Sequence, residues 1–189
     1  MLARLLLALA FLAAAPGEAL ADVIEAGNVS VVQSEDGLLV SADFGFELTQ
    51  RLDEALNHGV PLYFVVEFEL VRPRWYWFDE KTASEKLTLR LMYHSLSRQY
   101  RVSRGALYQN FASLGEALRT LGTVRNWAAV GRERLKPEES YLALLRMRLD
   151  TTQLPKPLQV SAFASREWAL ASDWTRVAFT AHPGGDTAR

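Results

Sequence analysis

The side chains in this chain best suited to touching another molecule fall in one string: Arg72, Pro73, Arg74, Trp75, Tyr76, Trp77, Phe78, Asp79 and Glu80. On an extended backbone successive side chains alternate between faces, so Trp75 and Trp77 point opposite to Tyr76 and Phe78. One pair is therefore left outside any single core. Aromatic rings and guanidinium groups are enriched at the centres of binding surfaces, and stacked rings also suit sugars and peptides. Arg72, Arg74, Trp75, Tyr76, Trp77 and Phe78 are the candidate binding residues. The alternative is an edge strand whose outer pair is covered by the chain's own loops or a helix.

The catalytic strings are missing. There is no G-x-S-x-G elbow, no G-x-x-x-x-G-K-[ST] and no G-x-G-x-x-G, so neither a hydrolase nucleophile nor a phosphate cradle is signalled. A triad assembled from scattered residues leaves no such string, so an envelope hydrolase stays as a third reading. With no cysteine there is no thiolate nucleophile, no disulfide framework and no Cys-containing zinc site. The three histidines, His58, His94 and His182, are far apart in sequence, which excludes an H-x-x-x-H helix. Glu67 and Glu69 share a face of a predicted strand, as a retaining glycosidase or a cation site uses them. Their plainer role is a solvated face paired to Lys86 and Arg90. No catalytic residue, metal ligand or cofactor is assigned.

The 21 Lys and Arg against 22 Asp and Glu give a net charge of −1, with no global field to hold a polyanion, so nucleic acid is excluded as a partner. The 49% hydrophobic and 23% charged residues are the proportions of a folded globular protein.

Arg4, the apolar run at 5–15 and Ala19-Leu20-Ala21 have the three parts of a secretory signal peptide, with cleavage expected after Ala21. As a helix the apolar run spans about 17 Å of a hydrocarbon core about 30 Å thick. The expected compartment is the periplasm. No later segment reads as a membrane span, because the most apolar stretch, 60–71, contains Glu67 and Glu69.

Two alternating runs, 23–33 and 38–48, flank Asp36-Gly37 and predict a β-hairpin. Thr49 caps a short helix that buries Leu52, Ala55 and Leu56 and stops at Gly59 and Pro61. Strands are predicted over 62–70 and 87–93, with outward Glu opposite outward Lys or Arg if they pair antiparallel. Two more follow at 98–103 and 106–111. Ser113 and Glu116 form a capping box for a helix ending at Gly122. A strand at 124–130 comes next, then Lys136-Pro137-Glu138-Glu139 as a helix start, then a strand over 140–150. Alternating runs at 158–163 and 167–174 read as the closing strands, with Arg166, Trp168, Leu170, Ser172 and Trp174 on one side, turned to the core. The chain thus divides into a signal peptide (1–21), one β-rich domain (22–180) and a disordered tail (181–189). The fold class is α+β and β-rich: sandwich-like antiparallel sheets with two short helices.

The strings Ala55-Leu56-Asn57-His58-Gly59-Val60-Pro61-Leu62, Arg74-Trp75-Tyr76-Trp77, Leu96-Ser97-Arg98-Gln99-Tyr100, Arg146-Met147-Arg148-Leu149-Asp150, Leu154-Pro155-Lys156-Pro157-Leu158 and the spaced Trp168 and Trp174 resemble an uncharacterised family of exported proteobacterial proteins. The family is known as a domain of unknown function, and some members are labelled proline-rich signal peptide protein. That label does not fit a chain with 7 prolines. The resemblance covers about 23–179 and brings no catalytic residues. It implies a Gram-negative envelope and, from gene order, a membrane sensor kinase of the nitrogen-regulation type as candidate partner. The expected function is a periplasmic, non-enzymatic interaction or accessory module for an envelope or inner-membrane protein. A small-ligand or glycan-binding β-sandwich is the rival.

Overall fold

The computed structural model describes residues 24–74 and 79–183. The expected signal peptide, the aromatics Trp75, Tyr76, Trp77 and Phe78, and residues 184–189 lie outside the described residues. In chain order the first elements are β1 (Glu25–Ser34), β2 (Gly37–Gly45), α1 (Gln50–Asn57), β3 (Leu62–Arg72), β4 (Glu80–His94), β5 (Gln99–Arg104) and β6 (Leu107–Phe111). There follow α2 (Leu114–Gly122), β7 (Thr123–Gly131), β8 (Ser140–Leu149), α3 (Lys156–Ala164) and β9 (Thr175–Thr180).

The strands form two antiparallel sheets, one of order β1-β2-β7 and one of order β6-β5-β4-β3-β8-β9. Gly37 closes the first hairpin at φ +143°, where a Cβ would stand 2.0 Å from the carbonyl oxygen of Val130 on β7. Only glycine fits that approach. In β3 the alternation places Leu62, Phe64, Val66, Phe68 and Leu70 in the core. The opposite side of β3, expected to be partly wet, is buried as well at Val65, Glu67 and Val71. Flanking strands on both edges bring enough long side chains to cover it.

Helix caps follow the sequence. Thr49 accepts from the Leu52 amide at 3.1 Å, and Ser113 accepts from the Glu116 amide at 3.3 Å. α1 buries Leu52, Ala55 and Leu56, and α2 buries Ala117, Leu118 and Leu121.

The C-terminal third departs from expectation. Residues 158–163 are not a strand: they lie in α3, a third helix where two were expected. Pro155 caps it and Pro157 sits in its first turn, where a missing N–H costs nothing. Gln159 fastens it by donating to the carbonyls of Thr152 and Leu154, both at 2.7 Å. The run 167–174 opens with a 3-10 turn over Arg166–Trp168 and then lies extended beside β8. Trp168, Leu170 and Ser172 are buried as their alternation requires, but Arg166, in the 3-10 turn, is exposed and Trp174 is only half-buried. The true last strand, β9, had not been foreseen. The helix start expected at 136–139 is a turn, with Glu138 at φ +63° and its amide donating to the Ala181 carbonyl at 2.7 Å. Ala181 is buried, and His182 exchanges two hydrogen bonds with the Gln33 side chain, at 2.8 and 2.9 Å.

One hydrophobic core joins the sheets. Trp127 of β7 meets Phe68 of β3 edge to face at 6.2 Å, and Phe46 meets Phe64 at 5.1 Å. α2 continues this cover over β5 and β6, which reach beyond the small sheet. Gly122 at its end is forced to be glycine, since a Cβ would meet the Phe44 carbonyl oxygen at 2.0 Å. Gly122→Ala should therefore destabilise the protein by about 2–3 kcal/mol. Gly115→Ala, with nothing near its Cβ position, should be neutral or stabilising by up to about 1 kcal/mol. Urea unfolding of the two variants checks both.

Candidate functional site

Strand alternation decides what the second face of the six-stranded sheet displays. From β3 come Tyr63, Val65, Glu67 and Glu69, and from β4 Lys86, Thr88, Arg90 and Met92. β8 contributes Arg146 and Arg148, β5 contributes Arg101, and β9 contributes Arg176. Among the described residues no helix or strand packs over this face. Its cations, with Lys81 at the margin, outnumber its carboxylates, Glu67, Glu69 and, just past β8, Asp150, which stands 3.7 Å from Arg148. The chain as a whole carries −1. Charge has been sorted onto one surface.

Glu67 is the centre of that surface. Its residue exposure is 7%, and its register puts Lys86 on one side and Arg146 on the other. One carboxylate oxygen accepts from Arg146 Nε at 2.7 Å, with Arg146 Nη2 also 2.7 Å from it as an ion pair. The other accepts from Arg148 Nη2 at 3.0 Å, with Lys86 Nζ at 3.4 Å. Burial alone would push the carboxyl up. The hydrogen bonds from Arg148 and Arg146 outweigh it and hold Glu67 down to about 2. A group so fixed as an anion cannot donate a proton at neutral pH, which removes it as a general acid. Glu69 accepts from Lys81 Nζ at 2.7 Å rather than from Arg90, which stands opposite Tyr63. Beyond Glu67, the Arg146 guanidinium stacks on Trp174, 4.4 Å from the ring centre. At the far edge Arg101 sits 4.4 Å above the Tyr108 ring and donates to Asn110 at 2.9 Å.

Of the candidate binding residues, the structure places Arg72 and Arg74 where β3 gives way to its connection with β4. Both hydrogen-bond the Glu80 carboxylate, and Arg72 also donates to both oxygens of Glu139 at 3.0 and 3.1 Å. Arg72's hydrogen bond holds the Glu80 carboxyl below its usual range. These two arginines tie the base of the connection together. Trp75, Tyr76, Trp77 and Phe78 lie outside the described residues. His58 engages the Glu54 carbonyl one turn back at 2.6 Å, as the end of a helix invites. Among the described residues no three His, Asp or Glu side chains converge as a cation site.

Reasoning from sequence missed Arg146, Arg148, Trp174, Arg101 and Arg176 as members of one surface. A signal existed: Arg146 and Arg148 stand two apart on the polar side of their strand, matching Glu67 and Glu69 on theirs.

Fold and face together define a β-rich α+β domain of two antiparallel sheets, one of which has a basic face that no described helix or strand covers. Residues 21–178 match the family described as Domain of unknown function (DUF4390), and the chain belongs to it. No curated protein and no solved structure matches the chain.

The carboxylate of Glu67 titrates at about 2 in the fold against 4.5 ordinarily. Its stabilisation is therefore complete above 4.5 and disappears as pH falls through 2. Glu67→Gln should cost about 3 kcal/mol at pH 7. The gap to the wild type should close between pH 4.5 and 2, read from urea unfolding at each pH. A gap constant over that range would refute the assignment.

Proposed function

We propose that this sandwich-like α+β domain is a periplasmic, non-enzymatic interaction module that docks an acidic surface of an envelope or inner-membrane protein. The candidate partner is the outer part of a membrane sensor kinase. The observation that carries this reading is the open basic face, where cations held by neighbouring strands stand outside the core with aromatic rings between them. Its size is right. Six strands about 4.8 Å apart and a central strand about 33 Å long make a face of roughly 800 Å², one side of a standard interface. Its chemistry is right as well, since Arg and aromatic side chains are the usual anchors of such contacts.

The connection 73–79 joins β3 to β4, two neighbouring strands of that face. Arg72, Arg74, Trp75, Tyr76, Trp77 and Phe78 thus lie in sequence at its margin, and the clamp on Glu80 and Glu139 supplies a firm base for them. The exported character rests on 1–21 and on the resemblance to exported proteobacterial proteins; both support the compartment.

A photoreactive residue at Thr88, exposed in the middle of the face, tests the proposal in the natural host. One acidic membrane protein should be crosslinked reproducibly. Arg90→Glu with Arg176→Glu, which leave the Glu67 cluster intact, should cut that yield about tenfold with the fold unchanged by circular dichroism. Crosslinking that ignores the reversal, or that joins only copies of this chain, overturns the reading.

A further inference from the structure

The small sheet is three strands wide and the large one six. Because β1 lies along β9 at one side, the large sheet overhangs at the other, beneath β5 and β6. α2 covers this overhang incompletely. Between it, the start of β7 and the overhanging strands is a cleft of about 310 Å³. Leu87, Leu89, Val102 and Val124 line its floor, all 9% exposed or less, and Leu107, 77% exposed, forms its lip.

The lining has a clear polarity. It contains no Asp or Glu, and its one ionisable cation is Arg104, which stands at the exposed end of β5 opposite Leu89 and Leu107. Among the described residues Arg104 has no carboxylate within ion-pair distance. An apolar floor with one convergent cation is the pattern of a small-molecule site, and the volume is at the lower end for one. The space holds about ten groups of about 30 Å³ each.

The geometry points to a binding site for a small amphiphilic anion, with an unbranched apolar body lying on Leu87, Leu89, Val102 and Val124 and a carboxylate or phosphate head on Arg104. This site lies on the other side of the sheet from the basic face and meets it only at Tyr108, on the β5–β6 edge. The head determines orientation, because a charge carried to the floor would lose its water without gaining a partner.

The probe is n-decanoate, with 1-decanol as its uncharged counterpart and inorganic phosphate as a head without a body. Titration followed by methyl NMR should give one saturable site for decanoate, with shifts centred on Leu87, Leu89, Val102, Leu107 and Val124. Phosphate alone should not move these methyls. Arg104→Gln, exposed and outside the core, should weaken decanoate about tenfold and leave decanol unchanged. Leu107→Glu, at the lip, should abolish decanoate binding in a folded protein. Absence of saturable decanoate binding up to its solubility, shifts centred on the exposed Val160 and Phe163 of α3 instead, or indifference to Arg104→Gln would each overturn the proposal.

Discussion

A sheet of three strands covers a sheet of six, and most of the molecule follows from that mismatch. One small sheet can bury only one face of the larger, so the other is left to long polar side chains. The small sheet is anchored at the β1 and β9 side, where Gln33 and His182 exchange hydrogen bonds. All excess width therefore appears at β5 and β6. α2 fills part of it, and α1 packs its buried Leu52, Ala55 and Leu56 into the same core near the start of β3.

The uncovered face poses an electrostatic problem of its own. Arg146 and Arg148 project from the same side of β8, about 6.6 Å apart along the strand. Two like charges at that distance repel by about 2.5 kcal/mol at an effective dielectric constant of 20. A carboxylate set between them on the next strand turns the repulsion into a pair of attractions. Glu67 occupies that position, and its desolvation is offset because both oxygens are filled with donors. The stem of Arg148, opposite Val65, meanwhile accounts for a buried valine on a face that no described helix or strand covers. The face can thus stay basic and still be rigid.

Local signals in the sequence were reliable wherever one residue type has one job. Asp36-Gly37 made its hairpin, Thr49 and Ser113 capped their helices, and the alternation in β3, β4 and β8 put the right side chains in the core. The pairing of Glu67 with Lys86 was legible because the two strands are consecutive. What was not legible depended on distant partners. Alternation says which side of β8 carries Arg146 and Arg148, but not that β8 lies beside β3. The run 158–163 alternates as well as a strand does, yet the edge of β8 is taken by Ala171 and β9, and the prolines at 155 and 157 favour a first helical turn. At 136–139 the pattern of a helix start lost to the demand that Tyr141, Ala143 and Leu145 alternate into the core immediately afterwards.

The same alternation separates the two surfaces this fold leaves open. On β4, Leu87 and Leu89 face the cleft while Lys86, Thr88 and Arg90 face outward, and on β5 Val102 faces the cleft while Arg101 and Ser103 face outward. A group bound on either side touches the same backbone and, among the described side chains, shares Tyr108, which lines the cleft and also lies under Arg101. Hydrogen bonds between strands resist sliding, so occupation of one side leaves the other nearly as it was. The exception is the β5–β6 hairpin, which is paired on one edge only and carries Arg104 and Leu107 on one side and Arg101 and Tyr108 on the other. Any coupling between the basic face and the cleft must pass through that hairpin, because it is the part of the sheet least held by the core.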